Sequence, residues 1–99
     1  MDLLVLRSLA AGERHGFSVS QWVHEQTEGV LRAPDGALYK ALHRLEERGW
    51  ISSRWGRSAN QRKAKFYAIT DLGRSALEDE QDVWRSFSAA IERALGAES

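Results

Sequence analysis

At Gly49 the apolar residues change spacing, from a helical period to a strand period, and few folds accommodate that change within so short a stretch. On the N-terminal side Leu38, Ala41, Leu42 and Leu45 share one face at about 100° per residue, while Gly36, Lys40, His43 and Glu47 point the opposite way. One face is suited to packing and the other is free. Gly49 follows the last periodic leucine, where a left-handed cap costs least, and Trp50 opens a stretch enriched in strand-favouring residues. Beyond it Ile51 and Trp55 face Phe66, Tyr67 and Ile69 across residues 56–64. That connection is longer than a tight hairpin turn and carries Arg57, Asn60, Gln61, Arg62 and Lys63. Residues 36–73 therefore read as helix, glycine stop, strand, basic loop and strand in one continuous unit.

The flanking segments complete the layout. A first helix from about Asp2 to Ala11 is apolar at Leu3, Leu4, Leu6, Leu9 and Ala10, more than one stripe, so it is expected to touch both its own core and something else. Residues 12–15 predict a turn. A second helix from near Gly16 to Glu28 is expected to bury Phe17, Trp22 and Val23 and to stop at Gly29. Residues 30–33 are apolar enough for a strand stub, and Pro34 sets the turn into the third helix with Asp35 as its N-cap. Thr70 caps a last helix reaching about Gly96, which at ~1.5 Å per residue outruns the small core beside it. Its apolar stripe is wider than a coiled-coil seam. Leu77, Trp84 and Ile91 lie at heptad spacing, as do Glu80, Phe87 and Ala94, so the distal half is expected to bury itself against another chain. Glu80 falls inside that stripe and is expected at a wet part of the contact. The fold class is thus mainly α with a small β-hairpin (α+β), a winged helix-turn-helix over residues 1–70 with a long C-terminal dimerisation helix over 71–99.

Composition sharpens the reading. Ninety-nine residues make one small domain, and the formal charge of zero at first counts against a polyanionic partner. The distribution reverses that impression. Residues 1–29 hold two basic and four acidic side chains, residues 30–67 nine and three, and residues 68–99 three and seven, giving −2, +6 and −4. A basic centre between acidic ends is the local footprint of a phosphate-binding surface. Cysteine is absent, which removes disulfides, thiolate nucleophiles and cysteine metal sites and fits a cytoplasmic protein. The run Leu3 to Leu6 is too short for a signal core and follows Asp2 where a positive residue should stand; no stretch approaches the ~20 apolar residues of a membrane span.

In order along the chain, Asp2-Leu3-Leu4-Val5-Leu6, His15-Gly16-Phe17, Gly36-Ala37-Leu38-Tyr39, Leu42-His43-Arg44-Leu45-Glu46, Gly49-Trp50-Ile51, and residues 62–67 leading into Ile69-Thr70 and Gly73 resemble the PadR-like family of bacterial transcriptional regulators. Each fragment is weak alone and the ordered set is specific. The resemblance implies a homodimeric winged helix-turn-helix protein, usually a repressor, whose C-terminal helix makes the dimer; the short C-terminal part looks like the subfamily with a single such helix. Two departures stand out. Lys40 occupies a position where the family commonly has proline, and the chain starts almost inside its first helix where relatives show more residues before it.

For double-stranded DNA the candidate contacts are Tyr39, Lys40, His43 and Arg44, with Gly36 permitting close backbone approach, and the wing residues Arg57, Arg62, Lys63 and Lys65 as phosphate or minor-groove contacts. Lys40 and Arg44 are suited alike to phosphates and to guanine acceptors. Candidate dimer contacts are Leu3, Leu6, Leu77, Trp84, Phe87, Ile91 and Leu95. Paired tryptophans across a two-fold also sandwich flat ligands, so Trp84 and Phe87 are candidates for an effector pocket taking a small hydrophobic or aromatic molecule. Trp22, Trp50 and Tyr67 read as packing residues. No cofactor or metal is expected: His24 and Glu28 supply two ligands at most, and His15, His43 and their neighbours assemble no nucleophile or proton shuttle, so the chain is not read as an enzyme. The alternative reading is a protein-binding winged helix acting through the hydrophobic stripe of its last helix.

Overall fold

A computed structural model describes residues 1–97 as α1 (Asp2–Ala10), β1 (Arg14–His15), α2 (Gly16–Gln26), α3 (Asp35–Glu47), β2 (Ile51–Arg57), β3 (Lys63–Ile69) and α4 (Asp71–Gly96). The expected α+β winged helix is present. Its sheet has three antiparallel strands in the order β1-β3-β2. Val5, Leu6 and Leu9 of α1 sit at the centre of the core, between Val19 of α2, the apolar face of α3, and Ile51 and Tyr67 of the sheet; Leu77 closes it from α4. All four periodic residues of α3 are buried, as their spacing requires.

Several expectations need correction. The strand stub is Arg14–His15, opposite Tyr67 and Phe66, and not residues 30–33, which form no strand. A two-residue strand has no pattern of its own and exists because β3 offers a free edge. Asp35 is the first helical residue of α3 rather than its cap; Pro34 holds the cap position and accepts Leu38 N–H through its carbonyl. The second helix ends at Gln26, and its cap is the His15 ring, whose Nδ1 accepts from Ser18 N–H at 3.2 Å. Phe17 is exposed, because at 100° per residue it shares a face with the exposed Gln21 and His24 and points away from buried Gly16, Val19 and Val23, and Trp22 is only half-buried. The hairpin pairs further than expected. Arg57 opposes Lys63, so the loop shrinks to residues 58–62, with Gln61 in the left-handed region at φ 65°. Strand alternation then puts Phe66 opposite Arg54 on the far face, and leaves Trp55 opposite Lys65 and exposed.

The expected cap at Thr70 is present and ties two elements together. Its Oγ1 accepts from Gly73 N–H at 3.1 Å and donates to the Gly49 carbonyl at 2.7 Å, while its N–H donates to the Trp50 carbonyl at 3.0 Å. Gly73 lies flush on that turn: a Cβ there would stand 2.0 Å from the Trp50 carbonyl oxygen. Gly49, at φ 77°, occupies the left-handed cap that its sequence position predicts. From this joint α4 runs past the core, and the body measures 56 × 28 × 21 Å. Leu72, Val83, Trp84, Phe87, Ile91 and Leu95 are exposed along it, and so is Glu80.

Replacing Gly73 by alanine is expected to force α4 off the β2 entrance and to destabilise the protein by roughly 2–3 kcal/mol, the range of overpacked core substitutions. Thermal and urea unfolding followed by circular dichroism check this; an unchanged midpoint would refute the close approach.

Candidate nucleic-acid interface

With Leu38, Ala41, Leu42 and Leu45 turned inward, α3 presents Gly36, Lys40, His43 and Glu47 outward, flanked by Tyr39 on the wing side and Arg44 on the α1 side. These side chains differ in how free they are. Lys40 makes no hydrogen bond or ion pair among the described residues, so its ammonium is available. His43 Nε2 lies 2.9 Å from Glu47 one turn on. Arg44 is held by Asp2 of α1, its NH2 2.5 Å from Oδ1; that carboxylate raises the guanidinium pKa above its ordinary value, by hydrogen bonding first and charge second. Asp2 also approaches Arg48 at 3.8 Å, and Arg48 covers the Trp50 ring. Of the two cations expected to lead on this helix, one is free and the other is tethered.

Tyr39 has a second role. Its ring packs over Gly16 at the start of α2, where a Cβ would stand 2.9 Å from the hydroxyl, and about half of the side chain remains exposed. Gly36 is the opposite case, since a Cβ there meets nothing within 4 Å. The protein's own packing does not demand that glycine, and only a group arriving from outside would.

The wing lies beside α3. One face of the sheet continues outward from buried Ile51 and Tyr67 and half-buried Ile69 through Ser53 to Trp55, Arg57, Lys63 and Lys65. Glu46 of α3 bridges the two elements, accepting from Ser53 Oγ and standing 3.7 Å from Lys65 Nζ. Lys63 lies over the Trp55 ring at 5.0 Å, and Arg57 donates to the Gln61 carbonyl at 3.1 Å. Arg62 accepts from Ser58 through its carbonyl, and among the described residues its guanidinium makes no hydrogen bond or ion pair at the tip. Arg57, Lys63 and Lys65 thus share one face with α3 alongside, and Arg62 extends from the tip. Burial raises the Tyr67 phenol pKa above its ordinary value, in keeping with the packing role expected of it.

Sequence reasoning missed three features. Arg54 is fastened to Glu13 at 2.5–2.9 Å on the far face, a hydrogen bond that also holds the Glu13 pKa below its ordinary value, so Arg54 does not join the basic surface. Arg32 lines a groove of about 480 Å³ with Ser20, Gln21 and His24 at the entrance to α3, without a hydrogen-bond or ion-pair partner among the described residues. Its only sequence signal was a cation just before the helix. Trp55 stands exposed where packing was expected. Among the dimer candidates, Leu6 is 0% exposed and Leu77 7%, both within the protomer's core, so neither has surface left to offer a second chain. Leu3 is half-buried; Trp84, Phe87, Ile91 and Leu95 are exposed, with the Trp84 and Phe87 rings 6.0 Å apart and tilted by 39°. No group of three or more metal-ligating side chains occurs among the described residues, and none of the described helices is long and apolar enough to cross a membrane.

A helix whose inner face is consumed by the core and whose outer face is polar, set against a basic two-stranded wing, defines the winged helix-turn-helix class. Residues 5–79 match the Transcriptional regulator PadR-like family, and the chain belongs to that family. A transcriptional regulator of Mycobacterium tuberculosis is 32% identical over 98% of this chain and 84% of its own length. The negative transcriptional regulator PadR of Bacillus subtilis is 27% identical over 76% of this chain, which spans 41% of that protein. In solved structures, a PadR family regulator of Clostridium difficile superposes with a TM-score of 0.81 at 28% identity, over 96% of this chain and 97% of that one. Bacillus subtilis PadR in complex with operator DNA gives 0.72 at 25% identity, over 81% of this chain and 45% of that one. The chain is thus a PadR-family transcriptional regulator.

Two glycines separate packing from function. Gly16→Ala should cost about 1–2 kcal/mol, because the Tyr39 ring must give way. Gly36→Ala should cost nothing, or gain up to ~1 kcal/mol from better helix propensity. Paired urea titrations read both, and equal losses would reject the assignment.

Proposed function

We propose that the protein is a homodimeric, sequence-specific DNA-binding repressor that sets one α3 into each half of a pseudo-palindromic operator. The observation that carries the reading is the outer face of α3, Gly36, Lys40 and His43, turned to solvent beside Arg57, Arg62, Lys63 and Lys65 of the wing. A relative crystallised with operator DNA supports it, as does the name of that relative as a negative regulator. Residues 1–70 act as the reading head and residues 71–99 as the dimerisation segment. The exposed stripe of Trp84, Phe87, Ile91 and Leu95 supports a two-fold contact, with half-sites about one duplex turn (~34 Å) apart or a multiple of it. Trp84 and Phe87 are the proposed lining of a site for a small hydrophobic or aromatic effector, whose binding would alter the angle between the two heads. The proposed compartment is the cytoplasm.

The test is binding of the purified protein to DNA spanning its own promoter, across a salt series with competitor duplex, alongside light scattering for mass. Competitor-resistant binding at two protomers per site is the expected result. Absence of salt-sensitive binding to any duplex would transfer the assignment to a protein-binding module acting through α4. Lys40→Ala should weaken binding at least tenfold and reduce the log–log salt slope by about 0.9, one phosphate's worth. Arg44→Ala should cost less, because Asp2 already neutralises that guanidinium. Asp2→Asn should act in reverse, freeing Arg44 and Arg48 so that affinity rises and the slope steepens by about one unit; a loss of affinity would show that Asp2 orients these arginines instead. Trp84→Glu should give a monomer by light scattering, and a dimer of unchanged stability would reject the α4 interface.

A further inference from the structure

Between α3, the start of α2 and the wing lies a cleft of about 400 Å³ whose walls include Phe17, Tyr39, Trp55, Lys63 and Lys65. Three of these are aromatic rings left largely in water, Phe17 at 64%, Tyr39 at 52% and Trp55 at 62% exposure. Exposed large apolar groups gathered at one place mark a contact surface rather than chance. Their arrangement is also specific in charge: Lys63 covers the Trp55 ring at 5.0 Å and Lys65 the Tyr67 ring at 5.8 Å, so cations stand beside apolar walls. Trp55 gains nothing from the core, since its strand neighbours on that face, Ser53 and Arg57, are polar.

Duplex geometry indicates what fits. A protein with one element in the major groove and another in the adjacent minor groove must straddle the single strand that separates them, and the gap between the elements must receive that strand. A strand presents apolar deoxyribose faces between charged phosphates, the same alternation that the cleft offers in complement. Resting on the DNA-binding reading above, we propose that this cleft seats one sugar–phosphate strand of the duplex, with the Trp55 and Phe17 rings against deoxyribose and the Lys63 and Lys65 ammoniums on the flanking phosphates. Trp55 and Phe17 then hold the head in place on any sequence and carry no base readout.

The contact has a signature that a purely electrostatic wing would lack. Burial of an apolar ring releases no counterions, so its loss weakens binding equally at every salt concentration, whereas loss of a lysine flattens the slope. Because the contact is independent of sequence, a duplex of arbitrary sequence serves as probe. Trp55→Ala is expected to reduce affinity on the order of tenfold with an unchanged salt slope. Lys63→Gln should make the slope shallower by about 0.9. Trp55→Phe should keep affinity while removing most of the tryptophan fluorescence change caused by adding duplex. Since the ring is exposed, thermal unfolding of all three variants should match the parent, which excludes misfolding as the cause.

If Trp55→Ala binds like the parent while Lys40→Ala does not, α3 meets DNA without this cleft; the proposal falls and the DNA-binding reading stands. If Trp55→Ala loses affinity together with slope, the ring merely orients Lys63 and the apolar contact is rejected. If the parent shows no salt-sensitive binding to any duplex, both readings fall together.

Discussion

The fold depends on one close approach, the first turn of α4 lying against the Trp50 carbonyl. The turn after α3 brings Gly49 and Trp50 to the point where β2 begins, and Thr70 spans both with its hydroxyl and its amide. Gly73 lets the helix backbone settle onto that turn, where any side chain would collide with a carbonyl oxygen. Three directions are set at this point: that of α3, that of the hairpin through the pairing of Ile51 with Ile69, and that of α4. The position of the wing relative to α3 follows, and with it the cleft between them.

Local chemistry made some of this legible in the sequence and left other parts dark. The buried face of α3, the glycine cap at residue 49 and the Thr70 cap each depend on residues within a turn of one another, and all three stand as expected. What depended on distant partners was not legible. β1 is a strand only because β3 has a free edge, and nothing in Arg14 or His15 announces it. Phe17 was expected inside because it is apolar, yet the face of α2 that meets the core is the one carrying Gly16, Val19 and Val23, and Phe17 lies on the other. Candidate site residues divide the same way. Helical spacing placed Lys40 and His43 outward, but it carried no information about Asp2 holding Arg44 from forty-two residues away.

The charge balance takes on a physical meaning in the folded chain. Fourteen basic and fourteen acidic side chains sum to zero, but the acids are not spread evenly over the basic surface. Asp2, Glu13, Glu46 and Glu47 each engage a cation of the central segment or its histidine, whereas Lys40, Arg32 and Arg62 have no ion-pair partner among the described residues. These pairs are exposed, so they contribute little to stability. Their effect is on the field: they decide which cations a polyanion meets unopposed, and they trim the attraction that any stretch of phosphate would otherwise feel. A surface that is basic in sequence is thereby narrowed to a few points of full charge.

The distal half of α4 carries a different consequence. A helix of twenty-six residues with Val83, Trp84, Phe87 and Leu95 in water holds its shape there with little tertiary support. Whatever covers that stripe adds its binding free energy to the folding free energy of the segment beneath it. With a second copy as the cover, the two processes share one equilibrium, and the melting temperature rises with protein concentration. The number of copies in a cell then becomes a folding variable: a scarce chain is not only less often paired but less often fully helical.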